Sequence, residues 1–452
     1  MKLAFRPDET NPRIAALLSD LGLAPGTVDL AVDARDEMLA FLVQSHDGDR
    51  DRALFQYFQS GASIAGSLGQ VLRWRFGKAG GVRSLLDFAS GYGRVTRFLV
   101  REVPPERVWV ADVYAEGVRF QAERFGVHGL VSAIRPEDFA CGERFDAILV
   151  TSLFTHLPEE RFVAWLRVLL GLLNPGGLLA FSAHSPEVLP PGVEMPAGGL
   201  LFAATSESGS LDTSDYGSTW VSEEFVRSAL ERAGAPGSSL HRIARALCNF
   251  QDLYLAVPEP GVDFSALAFQ GEPQLFVERA GILEDGRLEV AGWAAVRNGT
   301  VREVELWLDG ERLATGPVEG VREDVAGFFG GERHRRAEWV CRCRLPEGVS
   351  RSAAVLRLRV VNDCNGEGHV LWAGSIEGLF LDSARLDGAQ LRGWLRHTEA
   401  VLAEERTRTA VEKRELEVRI AAMEASRFWK LRNVWFRFKA LLGRGEGAGR
   451  SR

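Results

Sequence analysis

The sequence predicts an α/β domain, then an all-β sandwich, then a C-terminal helical segment. Three observations predict this order. Between residues 81 and 257, short apolar runs alternate with amphipathic helical segments, which is typical of a sheet with mainly parallel strands. Between residues 275 and 382 the apolar pattern changes to a period of two, as in antiparallel strands. Beyond residue 383 the chain is charged and favours helix.

Residues 1–80 are predicted to form a helical cap on the α/β domain. Apolar residues recur at helical spacing in three segments, which are Pro12–Leu21, Asp36–Val43 and the longer Arg50–Phe76. The α/β core itself is predicted to span residues 81–257.

A glycine turn between a strand and a helix is the most informative stretch. Three apolar residues surround Asp87, the turn reads Ala89-Ser-Gly91-Tyr-Gly93, and apolar residues then recur at helical spacing. Gly91 and Gly93 can adopt backbone angles that a Cβ disfavours, and they leave room for a ligand beside the main chain. The free N–H groups of the following helical turn would face that ligand.

An acidic residue follows the next strand, at a sequence spacing typical of nucleotide-binding units. Asp112 ends the apolar run 107–111, about twenty residues after the turn, where an acidic residue meets ribose hydroxyls in nucleotide-binding βαβ units. The pattern therefore predicts a nucleotide-like ligand across residues 85–112.

The remaining elements of the core follow in order. The predictions are a strand at Phe145–Val150, a helix to Leu173, a strand at Leu178–Phe181, a sixth strand at Gly217–Val221, a helix at Glu223–Ala233 and a last strand at Gln251–Val257. The last two strands are expected to form an antiparallel hairpin. The long Glu187–Asp215 connection is rich in Pro, Gly and Ser, and we expect it to be a substrate-side insertion.

Residues 30–257 resemble the class I S-adenosylmethionine-dependent methyltransferases. The resemblance rests on the ordered features above, together with the segments His156-Leu157-Pro158 and Pro175-Gly176-Gly177. It implies a seven-stranded Rossmann-like sheet and S-adenosyl-L-methionine as cofactor. Ala89 departs from the family's first glycine, but an alanine is small enough to leave the loop possible.

The resemblance also implies roles for individual residues. The first-motif turn passes the methionine part of the cofactor, and the acid after the second strand binds the ribose, so those roles fall on Asp87, Ala89, Gly91, Gly93 and Asp112. Glu137 and Asp138 follow the third strand, where the family contacts adenine.

Proline and glycine clusters at residues 258–274 predict a linker, and a β-sandwich is predicted at 275–382. Alternating apolar residues and the hairpin signal Asp309-Gly310 support the sandwich. This part resembles immunoglobulin-like modules appended to bacterial glycan-biosynthesis enzymes.

Composition narrows the class of protein. The 452 residues carry a net charge of −7, and the N-terminus lacks a secretory pattern, so we expect a cytoplasmic protein. Five cysteines without framework spacing indicate reduced thiols, and Cys341 and Cys343 are expected to be small core residues with no metal. The acidic balance outside the tail argues against a nucleic-acid partner.

The C-terminal part is predicted to be helical and then disordered. Residues 383–442 favour helix, and residues 443–452 are expected to be disordered. Only one heptad seam is apolar within 391–426, which predicts at most weak homo-oligomer formation. Residues 427–442 combine an aromatic stripe with basic flanks and fit either an anionic membrane surface, at the inner membrane face, or a partner protein.

Two histidines are candidate general bases. His156 and His184 follow the fourth and fifth strands of the core, at the carboxyl edge where an acceptor would bind. The predicted function is O-methylation of a glycan or glycan precursor, with a small-molecule acceptor as an alternative. A non-catalytic cofactor-binding scaffold and a nicotinamide oxidoreductase remain further alternatives. The oxidoreductase would favour a glycine at position 89.

Overall fold

The computed structural model describes residues 11–77, 81–190, 192–205, 211–329, 331–362 and 368–383. The predictions made for residues 391–426, 427–442 and 443–452 concern segments that lie outside these residues. No helix within the described ranges is long and apolar enough to cross a membrane.

The first part of the chain, to residue 257, contains seven α-helices and nine strands among the described residues. The helices are α1 Pro12–Asp20, α2 Glu37–Ser45, α3 Arg50–Phe76, α4 Thr96–Glu102, α5 Ala115–Phe125, α6 Glu159–Gly171 and α7 Glu223–Arg232. The strands are β1 Leu85–Phe88, β2 Val108–Asp112, β3 His128–Val131, β4 Phe145–Val150, β5 Leu173–Ala183, β6 Leu200–Ala203, β7 Ser218–Val221, β8 Ser239–Leu247 and β9 Gln251–Val257.

Seven of these strands form one sheet in the order β3-β2-β1-β4-β5-β9-β8. The first five are parallel, and β9 runs antiparallel to both of its neighbours. Strands β1 and β4 are buried along their whole length because helices cover both faces of the sheet, and this explains their nearly continuous apolar sequence. The predicted seven-stranded Rossmann-like domain is confirmed.

Two details of the predicted sheet are wrong. Residues Ser218–Val221 form a strand, but it pairs with β6 in a separate two-stranded ribbon and is not the sixth strand of the sheet. The hairpin partner of β9 is β8, which the sequence analysis did not predict. Strand β8 is only half-buried over its first four residues, and its polar side chains hide the apolar pattern.

Helices lie on both sides of the sheet. One core joins α1 to α5 to one face, and the other joins α6 and α7 to the opposite face. Helix α3 has the predicted bounds, begins at the N-cap Asp49 and ends at Gly77, whose positive φ of 82° favours glycine.

The segment predicted as a linker packs against the α/β domain. Phe264 stacks on Trp74 of α3 and on His241 of β8, with ring centroids 5.1 Å and 5.0 Å apart. Phe269 belongs to the core that contains α3. The segment therefore covers apolar surface of the first domain, while the domain boundary itself stays a prediction.

The chain continues into two four-stranded sheets with antiparallel pairing. Their orders are β10-β11-β15-β14 and β13-β12-β16-β17. The elements are β10 Pro273–Ile282, β11 Leu288–Val296, β12 Val301–Leu308, β13 Glu311–Pro317, β14 Gly320–Val321, α8 Glu323–Phe329, β15 Arg336–Cys343, β16 Leu356–Asn362 and β17 Gly368–Gly374. Asp309 and Gly310 connect β12 to β13 as the hairpin signal predicts, and both have positive φ.

A shared core joins the two sheets, and Cys341 is buried in it. An immunoglobulin-like relationship stays a prediction. The sheets also contact the first domain, because Asp20 at the end of α1 accepts hydrogen bonds from Arg359 Nε at 2.9 Å and from the Val370 N–H at 2.7 Å.

Candidate functional site

A cleft lies at the carboxyl ends of the parallel strands, where the strand order reverses between β1 and β4. Ligands bind at this position in open α/β sheets. The cleft has a volume of about 290 Å³. Its walls come from the turn after β1, the end of β2, residues 132–134 after β3, residues 151–153 after β4, and residues 211–216 of the inserted loop.

The turn after β1 consists largely of left-handed backbone. Ala89, Gly91 and Gly93 have φ angles of 59°, 58° and 78°. A Cβ on Gly91 would meet no atom within 4 Å, so this glycine leaves open space where it borders the cleft. A Cβ on Gly93 would lie 2.4 Å from the Phe125 ring. Gly93 therefore serves the packing of the turn and is not among the cleft-lining residues.

The alanine at position 89 should be strained, because left-handed backbone costs an L-residue about 1–2 kcal/mol. Ala89→Gly should raise the free energy of unfolding by about 1 kcal/mol, measured by chemical denaturation. Ala122→Gly, placed in the helical backbone of α5, is the matched control and should lower it by about 1 kcal/mol. Equal losses in both variants would contradict strain at Ala89.

Helix α5 holds the turn from the other side. A Cβ on Gly117 would lie 2.5 Å from the Gly91 carbonyl oxygen, so only glycine allows this approach without a shift of the backbone. The sequence analysis missed this residue. An isolated glycine inside a helical pattern is the signal that indicates such a contact.

Asp112 joins the turn to the end of β2. Its Oδ2 accepts the Gly91 N–H at 2.7 Å, and its Oδ1 accepts the Tyr114 N–H at 3.0 Å. Burial raises the pKa of this carboxyl, while the two N–H donors favour its ionised form. Asp112 therefore shapes the turn directly, and it lines the cleft beside Gly91 as predicted.

Asp87 belongs to a buried hydrogen-bonded chain. Thr96 Oγ1 lies 2.7 Å from both Asp87 Oδ2 and Gln121 Oε1. The Gln121 amide orientation is set by its own donors, because Nε2 donates to Ser90 Oγ and to the Gly91 carbonyl. A threonine hydroxyl has one proton, so it can donate to only one of these two oxygens.

Thr96 Oγ1 donates to Asp87 Oδ2, and a proton on Asp87 would let Thr96 donate to Gln121 Oε1 instead. Burial raises the pKa of Asp87 to about 7, so this carboxyl is about half protonated at neutral pH. The other oxygen of this group, Oδ1, is buried without a hydrogen-bond partner among the described residues.

Arg94 is the single Lys or Arg among the described residues that line the cleft. Its Nη1 donates to Ser60 Oγ of α3 at 2.8 Å, and a Cβ on Gly61 would lie 2.3 Å from the Arg94 carbonyl oxygen. Helix α3 thus packs closely on the turn and orients the guanidinium from outside the motif.

Several predicted site residues lie elsewhere. Glu137 is 3.7 Å from Arg161, and neither Glu137 nor Asp138 lines the cleft. Residues 132–134 form the wall after β3 instead. The sequence analysis missed them because no charged or glycine motif marks them.

Neither candidate imidazole lines the cleft. His156 is buried, its Nδ1–H donates to the Gly217 carbonyl at 2.7 Å, and its ring stacks on Tyr216 at 4.3 Å. Tyr216 itself does line the cleft. The His184 ring packs beside Phe250, with centroids 4.9 Å apart. The geometry places His156 behind the wall, where its ring packs on Tyr216.

Comparison with known proteins identifies the domain around this cleft. Residues 85–177 match the family model described as a methyltransferase domain. No match is found among curated proteins.

The chain is similar to the solved structure of DesVI of Streptomyces venezuelae. The two are 18% identical, the likeness covers 44% of this chain and 93% of that chain, and the TM-score is 0.34. The sugar N-methyltransferase KedS8 of a Streptoalloteichus species is 18% identical, with 52% and 98% covered and a TM-score of 0.34. The complex of DhpI with S-adenosylhomocysteine is also 18% identical, with 50% and 97% covered and a TM-score of 0.32.

The cleft residues fit S-adenosylmethionine. Its methionyl end carries an ammonium and a carboxylate, and the cleft offers the unpartnered Asp87 Oδ1 for the first and the Arg94 guanidinium for the second. The open space at Gly91 admits the ligand beside the main chain. Asp112 would accept hydrogen bonds from the ribose hydroxyls, and residues 132–134 would border the adenine.

Cofactor binding should depend on pH through Asp87. The carboxyl is protonated below about pH 7 in the free protein, whereas pairing with an ammonium favours the ionised form. Binding must then release a proton, so affinity for S-adenosylhomocysteine should fall up to about tenfold for each pH unit below about 7. Above about pH 8 the ligand's own amino group loses its proton, so the test belongs below that pH.

Calorimetry in buffers of different ionisation enthalpy measures the released proton directly. Asp87→Asn cannot ionise and is the control, for which the proton release should fall and the pH dependence should weaken to what the buried Asp112 carboxyl contributes. An affinity of the unaltered protein that is constant from about pH 5.5 to about pH 7.5 would refute a protonated Asp87.

Proposed function

We propose that this S-adenosylmethionine-dependent methyltransferase methylates a hydroxyl group of a glycan or glycan precursor. The observation that carries the proposal is the wall formed by the inserted loop. Asp212, Asp215 and Tyr216 line the same cleft as the glycine turn, so the acceptor side is polar. Carboxylate and phenol oxygens accept hydrogen bonds from sugar hydroxyls.

The residues of the chain act mainly by positioning. Bound S-adenosylmethionine would supply a methyl group on a sulfonium, and the neutral sulfide is a good leaving group. Holding the acceptor oxygen in line with that methyl group supplies much of the acceleration. Arg161 holds the loop in place, since its Nη2 lies 3.4 Å from Asp215 Oδ1.

An acceptor hydroxyl must also lose its proton. Among the loop residues, Asp212 accepts hydrogen bonds from the Ser214 N–H at 2.9 Å and from Ser214 Oγ at 2.8 Å, and these bonds lower the pKa of its carboxyl. As the methyl carbon bonds to the acceptor oxygen and leaves the sulfur, the acceptor hydroxyl becomes strongly acidic, so even the weakly basic Asp212 carboxylate can take its proton and pass it to solvent. We propose that His156 is a positioning residue that supports the Tyr216 ring. Direct catalytic roles of His156 and His184 stay predictions.

Transfer of labelled methyl groups from S-adenosylmethionine into bacterial glycan extracts tests this proposal. We expect label in carbohydrate with the full-length protein, and a large loss with Asp212→Asn or Tyr216→Phe. Glu231→Gln on the exposed end of α7 is a matched control. A protein that binds S-adenosylhomocysteine but labels nothing in these extracts or in a small-molecule panel would be the scaffold of the alternative hypothesis.

An amine acceptor is the second candidate, because acids are in excess in the cleft. Besides Asp87, whose pKa is about 7, five acidic residues line it against the single Arg94, namely Asp36, Glu37, Asp112, Asp212 and Asp215. Such a surplus attracts cationic acceptors. A paired panel of glucose and glucosamine derivatives separates the two, since mass spectrometry distinguishes an O-methyl from an N-methyl product.

We also propose that residues 427–442 bring the enzyme to an anionic membrane surface. Phe428, Leu431, Trp435, Phe438 and Leu442 have the spacing of one helical stripe, and four Lys or Arg residues flank it. Each such charge contributes about 1 kcal/mol near an anionic surface. The full-length protein should co-sediment with anionic vesicles more than with neutral ones, and a chain ending at Ala425 should not. Equal sedimentation of both chains would favour the partner-protein alternative.

A further inference from the structure

A second cavity lies between α3 and the β-sandwich. It has a volume of about 360 Å³ and shares no lining residue with the cofactor cleft. One wall is a face of α3 with small or polar residues, which are Gln59, Ala62, Ser63, Gly66, Ser67 and Gln70. A Cβ on Gly66 would meet no atom within 4 Å, so this glycine opens directly onto free space.

The opposite wall comes from the sandwich and the segment before it. Asn362 ends β16, His369 lies in β17, and Glu272 precedes β10. Leu17 and Leu21 near the end of α1 and Leu371 of β17 add apolar surface. Cavities between packed domains that combine apolar walls with a few convergent polar groups are typical small-molecule sites.

Asn362 is the strongest indication of a ligand. The residue is only 2% exposed, it lines the cavity, and its Oδ1 has no hydrogen-bond partner among the described residues. A buried polar atom without a partner destabilises a fold. A ligand that donates a hydrogen bond would remove this cost.

The charged groups of the cavity already have partners within the protein. Asp20 is paired with Arg359, and Arg73 is paired with Glu102. The Glu272 carboxyl accepts hydrogen bonds from Gln59 Nε2 and Ser63 Oγ. Glu272 has no basic partner among these contacts, and burial raises the pKa of its carboxyl to about 7. The one basic side chain of arginine or lysine among the described lining residues, Arg73, is already paired, so the cavity suits a neutral ligand and disfavours phosphates.

We propose that this cavity binds a neutral polyhydroxylated ligand, a single sugar unit, at the junction of the methyltransferase domain and the sandwich. A sugar hydroxyl donates to Asn362 Oδ1, and the C–H face of the ring packs on Leu17, Leu21 and Leu371. This site is separate from the acceptor site and does not depend on the acceptor's identity.

Saturation-transfer NMR of the full-length protein with the methyl glycosides of glucose, galactose, mannose and N-acetylglucosamine tests the proposal. At least one glycoside should show transfer in the presence of saturating S-adenosylhomocysteine. Gly66→Leu, which fills the cavity, and Asn362→Leu, which removes the acceptor, should each reduce the signal at least fivefold. Gly171→Leu, at an equally open glycine of α6, should leave the signal unchanged.

Calorimetric affinity for S-adenosylhomocysteine shows whether each variant is folded, and it should not change. If Asn362→Leu fails to fold, Gly66→Leu decides alone, because its side chain enters free space. No transfer from any of the four glycosides, or transfer that survives Gly66→Leu, would overturn the proposal. Neither result bears on cofactor binding or on methyl transfer.

Discussion

Asp112→Ala should weaken the binding of S-adenosylhomocysteine to the full-length protein by more than tenfold. The variant loses a charged partner for the ribose hydroxyls, and hydrogen bonds to charged groups contribute about 1.5–3 kcal/mol. It also releases the Gly91 and Tyr114 N–H groups, which Asp112 holds at 2.7 Å and 3.0 Å. The turn would then lose part of its shape as well as its ligand contact.

Two further variants refine this test. Asp112→Asn keeps one acceptor oxygen without the charge, so its affinity should be intermediate. Glu137→Ala should bind as the unaltered protein does, because Glu137 lies outside the cleft. Unchanged calorimetric affinity in Asp112→Ala would remove Asp112 from the cofactor site, and a large loss in Glu137→Ala would restore the role that the sequence resemblance implied.

Arg94→Met should weaken the binding of S-adenosylhomocysteine at least tenfold. The affinity for 5′-methylthioadenosine should change by no more than about twofold. The two ligands share the adenosine and the sulfur, but only the first has the amino-acid end. Arg94 is the single Lys or Arg among the described cleft residues, so no other basic side chain there replaces it for the carboxylate. Methionine keeps much of the volume and removes the charge.

Arg94→Lys is the conservative control. It keeps the charge without the planar fork of guanidinium donors and should lose less affinity. Ser60→Ala removes the hydroxyl that accepts a hydrogen bond from Arg94 Nη1. We therefore expect a small loss of affinity for S-adenosylhomocysteine and none for 5′-methylthioadenosine. Equal losses for both ligands in Arg94→Met would mean that Arg94 supports the turn and does not bind the carboxylate.

The first part of the site could be predicted from sequence because it is local. Strand β1, the glycine turn and α4 follow one another within twenty residues, and the burial of each strand appears directly in its apolar run. The bounds of helix α3 agree with those predicted from its apolar spacing, and in the structure an N-cap aspartate and a following glycine mark its ends.

The rest of the site depends on contacts between distant segments. Gln121 reaches the turn from α5, Ser60 reaches Arg94 from α3, and His156 supports Tyr216 across sixty residues. Spacing within a motif carries no information about such contacts. Strand β8 was missed for a related reason, since its partner β9 supplies the burial that its own sequence does not display.

We assign the binding of S-adenosylmethionine to the cleft after β1. Calorimetric titration of the full-length protein with S-adenosylhomocysteine tests it most directly, with reduced nicotinamide adenine dinucleotide as the competing ligand. We predict one site per chain for S-adenosylhomocysteine, displaced by S-adenosylmethionine and unaffected by the dinucleotide. No heat with S-adenosylhomocysteine, or displacement of it by the dinucleotide, would contradict the assignment of the cleft.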